Sequence, residues 1–184
     1  RIGTGMVTLA VPAPLHAILA GALPEATWIL LPHEMGSIAS GAFDVLTEEL
    51  DHITALLVGP GLGLDNGTKE FIERLLIGTS GRLPHSKLGF IKPNGEKAAQ
   101  KTTMLPPFVI DADGLKLLAK IQDWSKLLPV QAILTPHPGE MSILTGLATE
   151  KIQRDRLKIA SEYSVKWGHV VVLKGAFTII ASPD

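Results

Sequence analysis

The chain has 184 residues, a length that allows one domain with a sizeable core and is too short to argue for two. Hydrophobic residues make up 46% and charged residues 19%, the balance of a globular protein rather than a disordered one. A formal net charge of −1 gives no indication of a nucleic-acid partner or a charged membrane surface. The absence of cysteine excludes disulfides, thiolate metal sites and cysteine nucleophiles, and no run reaches the ~20 apolar residues of a membrane span. We therefore expect a cytoplasmic protein.

Six short apolar runs rich in β-branched residues predict the strands of a sheet. Segments with helical spacing separate them, a pattern that favours an α/β fold with a mostly parallel sheet. The runs are apolar at consecutive positions, as expected where both faces of a sheet are covered. The predicted strands are residues 7–11, 27–31, 55–58, 108–110, 132–134 and 170–173.

Three segments between these runs have the spacing of amphipathic helices. Residues 66–68 can cap the first, and the second, shorter helix is indicated by Leu115, Leu118 and Ile121. The third and longest runs from about Thr149 to Trp167. We interpret the apolar stripes on all three as core packing. The stripes of the first and third helices consist of Phe71, Ile72, Leu75 and Leu76, and of Ile152, Arg156, Ile159, Ala160, Tyr163 and Trp167.

Residues 78–107 show no clear period, and their basic side chains outnumber a single acidic one, Glu96. Structureless loops beyond about 12–15 residues are uncommon in compact domains, so we interpret this segment as a solvated excursion, with a partner-binding loop as the alternative. The chain begins and stops close to predicted strands. We therefore expect residues 1–184 to form a single, partial domain of a longer protein.

In open α/β sheets, ligands bind beyond the carboxyl ends of the strands. Four predicted strands here end in turns whose residues could bind a ligand or take part in catalysis. The first turn contains Gly59, Gly61 and Gly63, whose backbone can approach a ligand closely and offer amide donors to a pyrophosphate or ribose. It matches neither a P-loop nor the dinucleotide fingerprint. An ordinary tight turn is an equally good interpretation.

The second turn carries Asp111 and Asp113. A carboxylate at a strand end can orient a ribose hydroxyl, bind Mg²⁺ through water, or cap the following helix. We expect Asp113 to be the cap and Asp111, which is closer to the sheet, to be the functional residue.

The third and fourth turns follow the last two predicted parallel strands. In the third, prolines on both sides hold His137, and Glu140 falls in the first turn of the next helix, where the helix dipole favours it. The alternative is that Glu140 only caps the helix and His137 only packs. In the fourth, Lys174 precedes Gly175, a fitting place to neutralise phosphate oxygens.

Together these runs resemble the ADP- or ATP-dependent NAD(P)H-hydrate dehydratases, a carbohydrate-kinase-like branch of the ribokinase fold. The similarity covers essentially the whole chain, and residues 135–140, Thr-Pro-His-Pro-Gly-Glu, are its most specific part. The resemblance implies a ribokinase-like three-layer α/β/α domain with a mostly parallel central sheet, incomplete in this chain. The matching stretches are residues 3–12, 59–63, 111–115, 135–140 and 174–178.

The resemblance implies a repair reaction, in which a nucleotide phosphoryl group turns the ring hydroxyl of NADHX or NADPHX into a leaving group. By position, the NAD(P)HX side is formed by Gly59, Gly61, Gly63 and His137. The side that holds ADP or ATP is formed by Lys174, Gly175, Ala176, Phe177 and Thr178. The phosphate region is supported by Asp111, Asp113 and Glu140. Mg²⁺ is expected to bind through the nucleotide phosphates, with no direct protein ligand.

The family's Gly-x-Gly-Asp segment, whose aspartate is the expected catalytic base, lies beyond Asp184. We therefore expect no catalytic residue in this chain and no turnover by residues 1–184 alone. We also expect a homo-oligomer, and an NAD(P)HX epimerase that is either fused or separate. Nucleic acid and membrane are not expected as partners.

Two other functions are open. A kinase of the same fold for a small alcohol, such as a thiazole, pyridoxal or sugar-type kinase, would share the Lys174 turn but need no rigid His137. A non-catalytic nucleotide-binding module would bind ADP and signal through the basic residues between Arg82 and Lys101.

Overall fold

The computed structural model of the chain describes residues 3–79, 105–129 and 132–184. The expected excursion over residues 78–107 falls mostly on residues 80–104, which lie outside the described residues. That excursion and the partial domain over residues 1–184 stay predictions.

Two small sheets form the N-terminal part. Strand β1 (Thr8–Pro12) pairs in parallel with β2 (Thr27–Leu31), and helix α1 (Ala13–Ala22) connects them. Helix α1 starts directly after Pro12 with a proline in its first turn, where the missing amide hydrogen costs nothing. Strands β3 (His33–Glu34) and β4 (Ser37–Ile38) then form an antiparallel hairpin.

A five-stranded sheet carries the four candidate turns. Its order is β5 (Leu56–Val58), β6 (Phe108–Ile110), β7 (Ile133–Leu134), β8 (Val170–Leu173) and β9 (Ile179–Ala181). The first four strands are parallel to their neighbours and β9 is antiparallel to β8. All six predicted strands are present, with bounds that differ by at most one residue.

Helices follow or connect most of these strands. They are α2 (Ala42–Glu49), α3 (Asn66–Thr79), α4 (Ala112–Leu118), α5 (Pro138–Thr145), α6 (Thr149–Arg154) and α7 (Arg156–Trp167). Within the described ranges, none of the helices is long and apolar enough to cross a membrane.

The apolar stripes of the predicted helices form the core. Phe71, Ile72, Leu75 and Leu76 of α3 are buried with Leu115 and Leu118 of α4, as the spacing predicted. A second cluster joins Met141 of α5 to Ile159 and Tyr163 of α7 and to Val171 of β8, and Trp167 packs against both clusters. The expectation of two covered sheet faces is wrong for Leu30 of β2 and Leu57 of β5, which are 49% and 61% exposed among the described residues.

The predicted long helix from Thr149 to Trp167 is interrupted. Asp155 leaves the helical region, with φ −116° and ψ 35°, so that α6 ends before it and α7 begins after it. Aspartate favours helix ends because its short carboxylate competes for nearby backbone groups. The break leaves the apolar stripe intact but changes the environment of Arg156, the first residue of α7.

His169 ties the start of β8 to the 3₁₀ turn Trp124–Lys126. The ring is 3% exposed, and its Nε2 lies 2.8 Å from the carbonyl oxygen of Ser125. Because this partner is an acceptor, Nε2 carries the proton, and the buried Nδ1 has no hydrogen-bond partner among the described residues. Burial lowers the pKa of His169 below 6.5, and the hydrogen bond to Ser125 opposes this shift only in part.

Replacing His169 with Gln is expected to reduce the loss of thermal stability on acidification. The folded pKa lies below the unfolded value of 6.5, so unfolding takes up a proton in the window between them. Stability is therefore fully present above pH 6.5 and falls as the pH drops below it. Thermal melts of the complete protein across this window measure the slope. The exposed His52, changed to Gln, is the matched control, and an unchanged slope in His169→Gln would contradict the assignment.

Candidate functional site

The turns that follow β5, β6, β7 and β8 lie along one edge of the sheet. These strands are parallel neighbours, so their carboxyl ends stand side by side. Backbone hydrogen bonds tie the turns to one another. The amide of Asp111 donates to the carbonyl of Val58 at 3.0 Å, and that of Lys174 donates to the carbonyl of Pro136 at 2.8 Å. The four turns expected to carry chemistry are thus brought together.

The three glycines of the first turn differ in their surroundings. Gly59 has a φ of 136°, and a Cβ added there would lie 1.7 Å from the carbonyl oxygen of Asp111, so its absence lets the two turns touch. Gly61 has a φ of 70° and open space within 4 Å of an added Cβ. The amide of Gly63 donates to Oδ2 of Asp113 at 3.2 Å. The close-packed position is Gly59, and the accessible one is Gly61.

The helix cap is Asp111, not Asp113 as expected. Asp111 is the N-cap of α4, with its Oδ1 accepting from the amide of Ala112 at 2.8 Å, while Asp113 lies inside the first turn and pairs with Lys116 at 2.8 Å. The prediction that Asp113 caps the helix is therefore wrong, because the helix begins immediately after Asp111. Ala112 adopts a left-handed φ of 48°, a conformation that costs about 1 kcal/mol or more outside glycine.

His137 and Glu140 form a capping box at the start of α5. The amides of Gly139 and Glu140 donate to Nδ1 of His137 at 3.0 and 3.2 Å, and the amide of His137 donates to Oε2 of Glu140 at 2.9 Å. The capping interpretation of Glu140 is thus realised. The imidazole of His137 nevertheless stays 53% exposed, so it caps the helix and faces solvent at once.

Charged side chains from three of the turns meet at Lys174. Its ammonium hydrogen-bonds to Oδ1 of Asp111 and lies 3.8 Å from Oε2 of the buried Glu140. The other carboxylate oxygen of Glu140 is 3.3 Å from Nε2 of His137. One ammonium therefore faces two carboxylates. In the described ranges, no three His, Asp or Glu side chains are grouped closely enough to hold a metal ion.

The electrostatics of Asp111 reflect this contact. Burial alone would raise the pKa of its carboxyl, but hydrogen bonds from Lys174, from the Ala112 amide and from Thr135 outweigh it and hold the pKa below its usual value. Asp111 is thus kept ionised by its partners at the sheet edge.

The fourth turn, residues 174–178, links β8 to β9 and is contacted by Arg156 of α7. Arg156, assigned to the core stripe of the long helix, donates to the carbonyl oxygens of Leu173, Lys174 and Phe177. Its assignment as core packing is therefore wrong. A charged residue in an otherwise apolar stripe was the signal that could have identified it.

Comparisons with known proteins agree with one another. The model of the NAD(P)H-hydrate dehydratase family matches residues 91–184. Along its whole length the chain is 37% identical to the bifunctional NAD(P)H-hydrate repair enzyme of Moorella thermoacetica and 32% identical to that of Escherichia coli. It spans only 30% and 28% of the lengths of these relatives.

Solved structures share the fold. The ADP/ATP-dependent NAD(P)H-hydrate dehydratase of Bacillus subtilis superposes with a TM-score of 0.65 at 24% identity, over 99% of this chain and 53% of that one. A ribokinase-like superfamily protein of Enterococcus faecalis gives a TM-score of 0.67 at 22% identity, over 98% and 51%. The predicted α/β class with a mostly parallel sheet is confirmed.

Changing Lys174 to Met is expected to raise the pKa of Asp111. The substitution removes the ammonium and its hydrogen bond but leaves the burial, which favours the protonated carboxyl. Carboxyl carbon NMR titration of the complete protein measures the shift. Lys126→Met is the matched control, because Lys126 pairs with the exposed Asp123 at 3.0 Å, away from the four turns. An Asp111 titration that does not move in Lys174→Met would disprove the coupling.

Changing Gly59 to Ala is expected to destabilise the protein by about 3–5 kcal/mol, because the new methyl group must displace the backbone of Asp111. Gly61→Ala meets no neighbouring atom and carries only the cost of its positive φ, about 1–2 kcal/mol. Urea unfolding of the complete protein gives both values. Equal losses in the two variants would rule out the backbone contact as the cause.

Proposed function

The chain belongs to the NAD(P)H-hydrate dehydratase family, and from that membership we propose that the complete protein converts NADHX or NADPHX to NADH or NADPH with ADP or ATP as phosphoryl donor. The observation that supports the proposal best is the meeting of Lys174, Asp111 and Glu140 where parallel strands end. Phosphoryl transfer depends mostly on positioning and charge, which such an edge supplies.

The proposed chemistry has two steps. The ring hydroxyl oxygen attacks the terminal phosphorus of the nucleotide, the bond from that phosphorus to the bridging oxygen breaks, and the hydroxyl proton passes to a base. The carbon–oxygen bond to the new phosphate then breaks, and a proton leaves the neighbouring ring carbon as the double bond forms. The products are NAD(P)H, inorganic phosphate, and AMP or ADP according to the donor.

On the nucleotide side we propose Lys174, Gly175, Ala176, Phe177 and Thr178. The four residues after Lys174 are all exposed. The amides of Gly175, Ala176 and Phe177 donate to no acceptor within the described residues. Successive free amides suit phosphate oxygens, so the turn fits a nucleotide. Mg²⁺ bound to the phosphates would neutralise their charge, held in place by the nucleotide rather than by a protein cage.

On the NAD(P)HX side we propose Gly59, Gly61, Gly63 and His137. Gly61 has open space around it, so a ligand can approach its backbone closely. Gly59 contributes indirectly, because the lack of a side chain there lets the turn lie against Asp111. In His137, Nδ1 accepts the helix amides, so Nε2 carries the proton and can donate to the substrate or to Glu140. Asp111, Asp113 and Glu140 support the phosphate region by orienting Lys174 and the amide of Gly63.

The proposal extends to a partner enzyme activity, the oligomeric state and the cellular location. The relatives from Moorella thermoacetica and Escherichia coli are bifunctional repair enzymes of more than three times the length of this chain. We therefore propose an NAD(P)HX epimerase, fused or separate, as the partner activity. We also propose that the complete protein is a homo-oligomer and lies in the cytoplasm.

The test is a turnover assay of the complete protein with NADHX and either ADP or ATP. Restored NADH absorbance together with released phosphate is the expected result. A stable phosphorylated alcohol would support the small-alcohol kinase instead, and nucleotide binding without turnover of any substrate would support the non-catalytic module. Lys174→Met should lower kcat/KM by about a hundredfold, since it removes a charge close to the transferred group, whereas Lys126→Met should not.

A further inference from the structure

Arg156 contacts the turn of residues 174–178, for which we propose nucleotide binding. Its Nη2 donates to the carbonyl oxygens of Leu173 at 3.0 Å, Lys174 at 3.3 Å and Phe177 at 2.9 Å, while Nη1 donates to Oε1 of Gln153 at 3.2 Å. One guanidinium thus joins both ends of the turn to the start of α7. Since Nη2 has only two hydrogens, at least one of them is shared between two of the carbonyl oxygens.

The guanidinium also fits closely under Gly175. A Cβ added to Gly175 would lie 2.6 Å from Nη2 and 2.7 Å from Nη1 of Arg156. Glycine at this position therefore lets the turn rest directly on the cation. The carbonyl groups of the turn face Arg156, while its amides at residues 175–177 donate to no acceptor in the described part of the chain.

The charge of Arg156 is not neutralised by a carboxylate. No Asp or Glu in the described ranges lies within 4 Å of its guanidinium. By contrast, the ammonium of Lys174 is bonded to Asp111 and lies near Glu140. Because arginine is always protonated, the uncompensated positive charge at this turn comes from Arg156 rather than from Lys174.

We infer that Arg156 is a positioning residue for the nucleotide phosphates. It draws the carbonyls of the turn inward, leaves the amides at residues 175–177 free for phosphate oxygens, and supplies positive charge behind them. The inference rests on the proposed function of residues 174–178. The inference adds Arg156 of α7 to this site. Arg156 contacts the turn itself and need not contact the nucleotide.

The test compares Arg156→Gln and Arg156→Lys in the complete protein. Arg156→Gln loses the charge and most of the bonds, so the dissociation constant and KM for ADP should rise about tenfold or more, which corresponds to about 1.4 kcal/mol. KM for NADHX, and kcat at saturating ADP, should stay within about threefold of the parent. Arg156→Lys keeps the charge but has a single nitrogen, so it cannot contact the turn carbonyls and Gln153 as the two nitrogens of the guanidinium do, and its affinity for ADP should be intermediate.

Arg154→Gln is the matched control. This neighbouring arginine is 74% exposed and contacts only the side chain of Asp155 among the described residues, so ADP binding should not change. Gly175→Ala adds a second arm. Its methyl group should weaken ADP binding in the parent and add little in the Arg156→Gln background, where the space is vacated.

The results distinguish a failure of the positioning role of Arg156 from a failure of the proposed nucleotide binding. Failure of the parent protein to bind either ADP or ATP by calorimetry would overturn the proposed nucleotide-binding role of residues 174–178 itself. If the parent binds ADP and a folded Arg156→Gln binds it equally well, the positioning role is wrong while the function stands. If Arg156→Gln does not fold, Arg156→Lys and Gly175→Ala in the parent background decide, and an ADP affinity unchanged in both would overturn the inference. Equal loss of NADHX and ADP affinity would indicate a general structural role and overturn the inference.

Discussion

The arrangement of the sheet edge depends on the backbone contact between Gly59 and Asp111. Without a side chain at position 59, the turn after β5 lies against the carbonyl of Asp111, and Gly114 packs close to Gly59 from the start of α4. This contact fixes the aspartate between two strand ends, where it caps α4 and reaches Lys174. A Cβ at position 59 would collide with the carbonyl of Asp111, and one at position 114 would lie 3.0 Å from the carbonyl oxygen of Val58, so a side chain at either glycine presses on the contact between the two turns.

Among the described residues, paired and unpaired positive charges lie at different places along this edge of the sheet. Lys174 is matched by two carboxylates, so the centre of the edge is close to neutral or slightly acidic. The positive charge of Arg156 lies instead behind the turn between β8 and β9, next to amides that have no acceptor in the described part of the chain. An anion is therefore favoured at that turn and a neutral ring with hydroxyl and amide groups nearer to His137, which agrees with the two ligands of the proposed reaction.

Much of the fold could be predicted because short apolar runs and helical stripes are local signals. The convergence of the four turns followed from the rule that parallel strands end at a common edge. The pairing of Lys174 with Asp111 could not be derived, since it depends on strand order across 63 positions of sequence. Asp113 was predicted as the cap in place of Asp111 because a helix start was placed two residues late. Arg156 was missed because a continuous helix was assumed across Asp155.

The turn at residues 174–178 differs from the other three in being the loop of a hairpin. The others lead into helices, whereas this one is closed by antiparallel pairing of Leu173 with Ile179 and of Val172 with Ile180. Five residues held by a sheet at both ends and by a guanidinium beneath have little conformational entropy left to lose. A ligand that binds there gives up less free energy in ordering its site, so affinity can come from rigidity already present rather than from additional contacts.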